Sequence, residues 1–588
     1  MILTKLKEFA DTRLNLPPEM YGETPVRWVI DLDPQGSLLG FIPQGGDSKA
    51  TQRGIPKTVP KLPKKRTVGI QPILLADTGE YVLGIPKEGA KPERVAKCHQ
   101  QFKQLVQACA GATRDSAVQA IENFLGTWDP SQAQLPEGFD PGDTVTFRVG
   151  TRIPADDHPD NHAIQEFWAR YTAGGDNPDP LPVMMCLVTG QITEVVDRLP
   201  EPIKGIPDGQ PSGTSLVSAN ANAFTSYGLQ NSFTSPISRR AAEKFGKALN
   251  HLLKDEKSHL QVKPNVFVFW TRDPDDFDPF SLLDKPEAED VQNLLKSALS
   301  GQQNYTVEGH ENEFYALSLT ANNARAVVRD WLQTTVPHVQ DNLRLWFQSQ
   351  TIVDPYGQPA RPFGVYALAA SAYRDPNKEM QPTVPTALLR CALAGEGIPD
   401  HLLAKANRRT AVEGDIPHAR AALIKLILLS HWRRTTHPMP NLESLNLNPE
   451  LDPPDQAAYH CGRLFAQLEI IQRSAQKGIN TTLVDRYYTA ASTTPKKILG
   501  DLIAKAQPHL AKIRKDSRGT YEALERQLEE ISASLDPATL PTSLTMQQQS
   551  LFGLGYYHQR AENRRRAVEG AEKKKQAQMD TQGDTNHD

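Results

Sequence analysis

Three groups of side chains in this sequence have residue types that could support catalysis. His158 and His162 are four residues apart and lie close to several aspartates, a pattern that could bind a metal ion. Residues 272–279, RDPDDFDP, contain four aspartates but no histidine or lysine, which is more typical of a turn-rich loop. Cys186 follows two methionines in an apolar segment, where core packing is favoured over a reactive thiolate.

Stronger catalytic signals are missing from the sequence. Neither G-x-x-x-x-G-K-[ST] nor G-x-G-x-x-G occurs, so the phosphate-binding loop of an ATPase is excluded. Pro159 favours a solvated helix N-terminus around His158 and His162 over a metal site. A metal-dependent nuclease that uses either the histidine pair or the aspartate cluster stays open as an alternative function.

A short basic segment, residues 57–66, could bind nucleic-acid phosphates. It holds five cations in ten residues, with no acid among them, and its prolines keep it extended. Each cation that neutralises a phosphate releases counterions and adds to the affinity. The alternative is a solvated loop that blunts the edge of a sheet. The cations are Lys57, Lys61, Lys64, Lys65 and Arg66.

A polar segment, residues 213–250, combines many short hydrogen-bonding side chains with few charges. Its surface could contact a nucleic acid, a peptide or a sugar. Asparagine can read base edges, and an aromatic ring can stack on bases or wedge between them. Alternatively, the two rings pack beneath the loop and the asparagines bond the local backbone. The candidate residues are Asn220, Asn222, Phe224, Ser226 and Tyr227.

Two smaller basic features are also candidates for phosphate contact. Lys204 lies in a short turn, where a surface lysine is the more common explanation. Residues 322–331 are predicted to form a helix with Arg325 and Arg329 on one face. These arginines could face either a nucleic-acid backbone or an internal acid.

The elements that position these residues follow from hydrophobic periodicity and turn signals. Asp33-Pro34-Gln35-Gly36 predicts a turn between strands at 26–30 and 38–42. A second hairpin is predicted from strands at 68–75 and 81–85. Further helices are predicted at 95–109, 116–124 and 163–171, and further strands at 145–149, 183–189, 265–271 and 314–319.

The last third of the chain has an almost purely helical pattern and a positive charge excess. Helices are predicted at 457–475, from Pro495, at 521–535 and at 546–566. Between 463 and 518, eleven Lys or Arg residues stand against four Asp or Glu residues. Such a face suits a displaced DNA strand, and a solvated face is the alternative. The candidates are Lys496, Lys497, Lys505, Lys512, Arg514 and Lys515.

These patterns predict an α+β fold, with a mixed, β-hairpin-rich N-terminal domain or domains followed by a C-terminal helical bundle. The predicted divisions are an N-terminal hairpin and helix region at 1–150, an α+β central region at 151–385, a helical connector and Pro-rich linker at 386–454, the bundle at 455–566 and a disordered tail at 567–588.

Bulk composition limits the function classes. The chain has 588 residues and a net charge of −4, so any nucleic-acid binding must come from local patches. Five distant cysteines without a Cys-x-x-Cys pair favour a reducing compartment and argue against a zinc ribbon or a disulfide framework. No apolar run of 18 residues occurs, so no membrane span is expected. The N-terminus is typical of a helix rather than a signal peptide.

Ordered motifs along nearly the whole chain resemble one known family. The polar segment carries Leu216-Val217-Ser218, Ala223-Phe224 and Tyr227-Gly228, and it is similar to the large subunit of the type I-C CRISPR Cascade surveillance complex. Ala219 and Arg239 depart from the Phe and Glu usual in that family. Further matches are residues 25–33, 186–190, 203–205, 322–331, 462–466, 485–488 and 554–560.

The resemblance implies a non-catalytic large subunit without a cofactor, in the prokaryotic cytoplasm. Such a subunit recognises the protospacer-adjacent motif in duplex DNA, assists R-loop formation and recruits a separate helicase–nuclease in antiviral defence. The resemblance also implies that the basic segment contacts duplex DNA and that the C-terminal bundle is similar to the small subunit. Its implied partners are CRISPR RNA, a repeated backbone subunit, a foot subunit, a small subunit, target duplex and the displaced strand. A structural scaffold that touches only protein and RNA is the other alternative.

Overall fold

The computed structural model describes residues 1–45, 53–62, 69–173, 182–219, 221–225, 227–275, 277–297, 312–432, 456–476, 478, 481–538 and 540–583. It confirms the predicted α+β class, with small sheets in the N-terminal half and helices in the C-terminal region. The chain forms two compact units. The first comprises Met1–Ile203 and Ser215–His251, and the second comprises Lys204–Thr214 and Leu252–Asp588. The finer boundaries proposed from the sequence stay predictions.

The first unit is built around a four-stranded sheet with helices packed beside it. Its elements are α1 (Ile2–Arg13), β1 (Tyr21–Val26), β2 (Trp28–Leu32), β3 (Leu38–Pro43), β4 (Ile55–Pro60), β5 (Ala76–Thr78), α2 (Gly79–Val82), α3 (Pro92–Thr113), α4 (Ser116–Thr127), β6 (Thr144–Val149), α5 (His162–Ala173), β7 (Val183–Met185), β8 (Ile192–Glu194) and α6 (Arg239–Lys254), whose last three residues belong to the second unit.

The strand order of this sheet is β3-β2-β6-β5, with β2 and β6 parallel. Ile30 and Phe147 are paired across β2 and β6 and are fully buried, and Phe102 of α3 stacks on Phe147. The predicted hairpin of β2 and β3 is confirmed. Its turn is closed by the Asp33 carboxylate, which accepts hydrogen bonds from two backbone N–H groups of the turn.

The predicted second hairpin is wrong. β5 pairs with β6 instead of with residues 81–85, and Gly79–Val82 forms the short helix α2. The Asp77 carboxylate explains the change, because it accepts hydrogen bonds from the backbone N–H groups of Ile73 and Thr78 and so turns the chain locally. The strand predicted at 183–189 is also too long. It ends at Met185, because the Gly190 N–H donates to the Cys186 carbonyl at 2.8 Å and closes a turn into β8.

The second unit combines a four-stranded antiparallel sheet with a helical region. Its elements are β9 (His259–Val262), β10 (Asn265–Thr271), α7 (Pro279–Asp284), α8 (Ala288–Ser297), β11 (Glu313–Asn322), β12 (Arg325–Thr335), α9 (Val336–Gln350), α10 (Val365–Ala370), α11 (Pro376–Glu379), α12 (Thr383–Ala394), α13 (Asp400–Glu413), α14 (His418–Trp432), α15 (Gln456–Ala475), α16 (Leu483–Thr493), α17 (Pro495–Asp516), α18 (Arg518–Ala533) and α19 (Met546–Gly583).

The helix predicted at 322–331 is wrong, since this segment turns from β11 into β12. Asn322 pairs with Arg325 across a two-residue turn, and Asn323 has a φ of +53°, which asparagine tolerates better than most residues. The β-branched Val327 and Val328 suit the strand that follows. The strands predicted at 265–271 and 314–319 are confirmed as β10 and β11.

Two glycines allow the helices α15 and α19 of the C-terminal bundle to approach closely. A Cβ atom on Gly462 of α15 would lie 1.9 Å from the Phe552 carbonyl oxygen of α19. A Cβ atom on Gly555 of α19 would lie 2.0 Å from the Tyr459 carbonyl oxygen. The backbones of α15 and α19 are therefore in direct contact at these two positions.

The tail predicted to be disordered after residue 566 continues as helix to Gly583. Ion pairs along the start of this extension support it, since Arg565 reaches Glu569 at 2.6 Å and Arg566 reaches Glu562 at 2.6 Å. Of the helical connector and Pro-rich linker predicted at 386–454, residues 433–454 lie outside the described residues.

Candidate nucleic-acid interface

The basic segment begins on a strand rather than in the predicted loop. Lys57 lies on β4, opposite Thr24 of β1, and its side chain is half-buried. Lys61 follows the strand, and its N–H donates to the Met20 carbonyl at 2.8 Å. The Lys61 side chain runs over Gly22, where a Cβ atom would lie only 2.9 Å from its Cδ. The two-stranded ribbon of β1 and β4 thus fixes both lysines.

Lys61 also has an acidic partner that its local sequence does not show. Its Nζ lies 3.4 Å from Oε1 of Glu201, and the lysine and glutamate side chains are 40% and 16% exposed. This ion pair partly neutralises one of the five candidate cations. Lys64, Lys65 and Arg66 lie outside the described residues.

The polar loop, defined here as residues 215–235, exposes the two aromatic rings that the sequence singled out. Tyr227 is 99% exposed, so its ring does not pack beneath the loop, whereas Phe224 is 45% exposed and is therefore more than half covered. Asn222 is exposed at the start of a 3₁₀ turn, and its carbonyl accepts a hydrogen bond from the Thr225 hydroxyl at 2.7 Å. Asn220 and Ser226 lie outside the described residues.

The base of the polar loop is anchored to the chain that follows β8. The Val196 N–H donates to the Ile237 carbonyl at 3.0 Å, and Val195 forms a β-bridge with Ser238. Ser238 leads directly into α6. The base of the loop is therefore held in place, while its aromatic residues are exposed to solvent.

Among the residues that the structure describes, the helix α17 carries more exposed cations than any other candidate site. Its buried face is formed by Leu499, Leu502, Ala506, Leu510 and Ile513. At about 100° of rotation per residue, four of the six candidate cations fall on the opposite half of the helix, and Lys496 and Arg514 lie at the border of that half. These cations, called the cationic face below, are all exposed and comprise Lys496, Lys497, Lys505, Lys512, Arg514 and Lys515.

Two tyrosines that were not predicted from the sequence adjoin the cationic face. Lys505 Nζ lies 5.3 Å from the ring centroid of Tyr487 in α16, and the Arg514 guanidinium lies 5.5 Å from the ring of Tyr521 in α18. Aromatic residues interleaved with cations are typical of single-strand binding surfaces. The pattern could have been noticed in the sequence, because both tyrosines occur close to the cations of α17 along the chain.

Lys204 and the two arginines of β12 are weaker candidates. Lys204 is exposed and precedes Gly205, whose φ is +84°. Arg325 and Arg329 lie on a strand instead of the predicted helix, and Arg329 Nε donates to the Thr320 hydroxyl at 2.8 Å. Arg329 thus has a local structural contact.

The candidate metal ligands do not converge. His162 begins α5 and His158 caps the 3₁₀ turn just before it, and both are exposed, as the solvated helix terminus predicts. His158 Nδ1 accepts from the Asp160 N–H at 3.3 Å. The Asp275 carboxylate accepts from the Phe277 N–H at 2.9 Å and from Asn312 Nδ2 at 3.1 Å, as in a turn. Within the described ranges, no three His, Cys, Asp or Glu side chains are grouped to hold a metal ion.

Cys186 is buried, which confirms the core-packing prediction. Burial raises the pKa of its thiol, but hydrogen bonds from the Ser238 backbone N–H and from Thr189 outweigh this effect and bring that pKa to about 7. The Ser238 N–H lies 3.3 Å from the sulfur. The sulfur thus helps to fix the start of α6.

A comparison with protein families gives a match over residues 3–563 to the family described as CRISPR-associated protein (Cas_Csd1). The chain belongs to this CRISPR-associated family. The matched range of the CRISPR-associated protein includes the basic segment, the polar loop and the cationic face. A comparison with curated proteins gives no match.

A helix that crosses a bilayer needs about 20 consecutive, mostly apolar residues. Over the part of the chain that the structure describes, no helix is both long and apolar enough to cross a membrane.

Proposed function

We propose that this chain is the non-catalytic large subunit of a type I-C Cascade complex in the prokaryotic cytoplasm. It recognises the protospacer-adjacent motif in duplex DNA, assists R-loop formation and recruits a separate helicase–nuclease. Membership of the CRISPR-associated family supports the defence role. The observation that carries the nucleic-acid role is the cationic face, where six exposed cations lie outside the buried side of α17.

The three surfaces would divide the DNA between them. The basic segment and the polar loop contact the duplex, the former through phosphates and the latter through bases or groove edges. The cationic face holds the displaced strand, and Tyr487 and Tyr521 adjoin it. Guide pairing reads the target sequence, while the protein reads only the short flanking motif and the duplex shape. The partners in this proposal are the CRISPR RNA, the backbone, foot and small subunits, and the helicase–nuclease.

The proposal is tested on the assembled complex with charge reversal at Lys61, Lys64 and Lys65. Duplex binding should weaken, and the slope of log K against log salt should fall by about 0.9 for each phosphate contact that is lost. Glu201→Gln is a useful companion, because it releases Lys61 from its acidic partner and should strengthen duplex binding slightly. A scaffold that touches only protein and RNA predicts no change in either variant.

Two further measurements define the function. A binding assay with randomised flanking bases should reveal a preferred motif, and equal binding to all sequences would remove motif recognition from the proposal. The purified chain should not cut DNA in Mg²⁺ or Mn²⁺. Cleavage that is lost on Asp275→Ala would replace the proposal with the nuclease alternative.

A further inference from the structure

Tyr227 is held away from the protein by its backbone. Its φ is +52°, in the left-handed region, and Gly228 follows with a φ of +74°. A left-handed conformation costs an ordinary residue about 1–2 kcal/mol, so it persists only where the surrounding chain enforces it. Because the ring is 99% exposed, burial of the ring does not offset that cost. The geometry must come from the residues that hold the loop.

Asp197 makes two hydrogen bonds to the returning arm of the polar loop. Its carboxylate oxygen Oδ1 accepts from Asn231 Nδ2 at 2.8 Å. Its carbonyl accepts from the Ser232 N–H at 3.0 Å, and Ser232 is buried. Asn231 also has a left-handed φ of +50°. Asp197 therefore fixes both the side chain and the backbone of the loop four to five residues after Tyr227.

The composition of the polar loop indicates what the ring would contact. Residues 215–235 contain no charged side chain, so the loop has no cation with which to neutralise a phosphate. A projecting aromatic ring in such a setting suits the face of a nucleic-acid base, since stacking needs no charge. The Asp197 carboxylate would repel a phosphate, and Nε of Arg198 lies 3.7 Å from its other oxygen. A direct phosphate contact by Asp197 is therefore disfavoured.

We propose that Asp197 and Asn231 are positioning residues that hold the Tyr227 ring ready to stack on a DNA base beside the recognised motif. This role rests on the duplex contact in the proposed function. Asp197 and Asn231 act through the loop and do not touch the DNA. Their loss should therefore reduce stacking without changing the number of phosphate contacts.

The test uses the assembled complex and target duplexes that carry 2-aminopurine at positions flanking the motif. A ring that stacks on this base changes its fluorescence when the duplex binds, so Tyr227→Ala should abolish that change. The same variant should weaken binding by roughly 5- to 150-fold, the range of one lost base–aromatic stack. Asp197→Ala should move both readouts in the same direction by a smaller amount. The slope of log K against log salt should stay unchanged in both variants.

Matched variants separate positioning from a general loss of structure. Asp197→Asn keeps an oxygen that can accept from Asn231 and should behave nearly as the wild type. Asn231→Gly removes the side-chain hydrogen bond at a position where glycine tolerates the positive φ, and it should reproduce Asp197→Ala. In a Tyr227→Ala background, Asp197→Ala should have no further effect, because the ring it positions is already absent.

Two results would overturn the positioning role. One is wild-type fluorescence and affinity in both Asp197→Ala and Asn231→Gly while Tyr227→Ala is impaired. The other is an equal loss from Asp197→Ala with and without Tyr227. If neither Tyr227→Ala nor reversal of the basic segment changed duplex binding, the proposed function itself would fail.

Discussion

The polar loop and the cationic face expose side chains of opposite character. The polar loop has no charged residue over 215–235 and presents Tyr227 almost entirely to solvent. The cationic face presents six exposed cations on a helix with only two acids, Asp501 and Asp516. A neutral loop with an exposed ring suits bases, whose recognition depends on shape and stacking. A row of cations suits phosphates, whose recognition depends on salt.

The two surfaces also differ in what supports them. The polar loop is held at its base by a few hydrogen bonds and by left-handed residues, so one lost bond can displace the ring. The cationic face is held by a 22-residue helix whose apolar side packs into the bundle. A single lysine can be replaced there without a change in shape. Substitutions at the polar loop should therefore alter the position of the ring, whereas substitutions at the cationic face should alter only its charge.

The largest expected effect comes from removing the support of the cationic face. Gly462→Ala would place a Cβ atom 1.9 Å from the Phe552 carbonyl, where backbone lies on both sides and cannot give way easily. Overpacking costs about 1–3 kcal/mol and occasionally more, and we expect the upper end here. Thermal unfolding should show a fall of several degrees in the Tm of the bundle.

Gly500→Ala is the matched control for that substitution. Gly500 lies on α17, and no heavy atom of a described neighbour comes within 4 Å of the position that an alanine methyl would take there. Alanine should therefore be neutral or stabilise the helix by about 0.5–1 kcal/mol. Equal Tm values for the two variants would contradict the close backbone contact between α15 and α19.

The second effect concerns the cations themselves. Lys512→Glu combined with Lys515→Glu should weaken binding of the displaced strand about tenfold or more at physiological salt, since two phosphate contacts become repulsive. The control is Arg518→Glu with Arg526→Glu on α18, which changes the net charge equally at positions already paired with Glu522 and Glu530. Fluorescence anisotropy of a labelled single strand measures the affinity of both double variants for that strand. A similar loss in the control would mean that only overall charge matters.

The third effect is a dependence of the bundle on pH. Burial, together with Lys425 and Arg463, lowers the pKa of His558 to about 3, and burial beside Arg463 lowers that of His460 to about 4. Unfolded histidine titrates near 6.5, so below that pH the unfolded chain binds protons that the folded bundle does not. The free energy of unfolding should therefore fall as pH drops from about 6.5 towards 4, by up to about 1.4 kcal/mol per pH unit for each histidine.

The variant His558→Gln tests this pH dependence. The variant removes one titrating group from the bundle, so its Tm should fall less steeply between about pH 6.5 and 4.5 than that of the wild type. Parallel Tm profiles for wild type and His558→Gln would contradict the lowered pKa.

The smallest expected effect is at the tip of the polar loop. Tyr227→Phe keeps the ring and loses only the hydroxyl, so duplex affinity should change by less than about twofold if stacking is the contact. Titration of labelled duplex into the assembled complex measures the change. A loss as large as that of Tyr227→Ala would show that the hydroxyl group, and not the ring face, makes the contact.

Local signals predicted much of the fold that supports these surfaces. The turn around Asp33 specified the hairpin of β2 and β3, and the apolar run at 265–271 specified β10. The segment after Asn322 was wrongly predicted to be a helix, because the spacing of its arginines fits one. It is instead a strand that forms its hydrogen bonds with β11. Pairing between strands depends on the rest of the fold, so a short segment alone does not decide it.

The candidate sites were predictable in residue type but not in geometry. The cations of α17 stand out in the sequence because helical spacing places them outside the apolar side of the helix. The pair of Lys61 and Glu201 joins residues 140 positions apart, and that of Asp197 and Asn231 joins residues 34 apart. Such contacts depend on the tertiary fold. The exposure of Tyr227 also goes against expectation, because large aromatic residues are usually mostly buried.

The most direct test of the central claim measures the salt dependence of target-DNA binding by the assembled complex in three forms. These are the wild type, Tyr227→Ala and the Lys512→Glu, Lys515→Glu double variant. Tyr227→Ala should lower the affinity at every salt concentration and give a line parallel to the wild type. The double variant should give a shallower line, by about 1.4 for two single-strand phosphate contacts. Equal slopes in all three forms, or a shallower slope for Tyr227→Ala, would contradict the assignment of bases to the loop and phosphates to the helix.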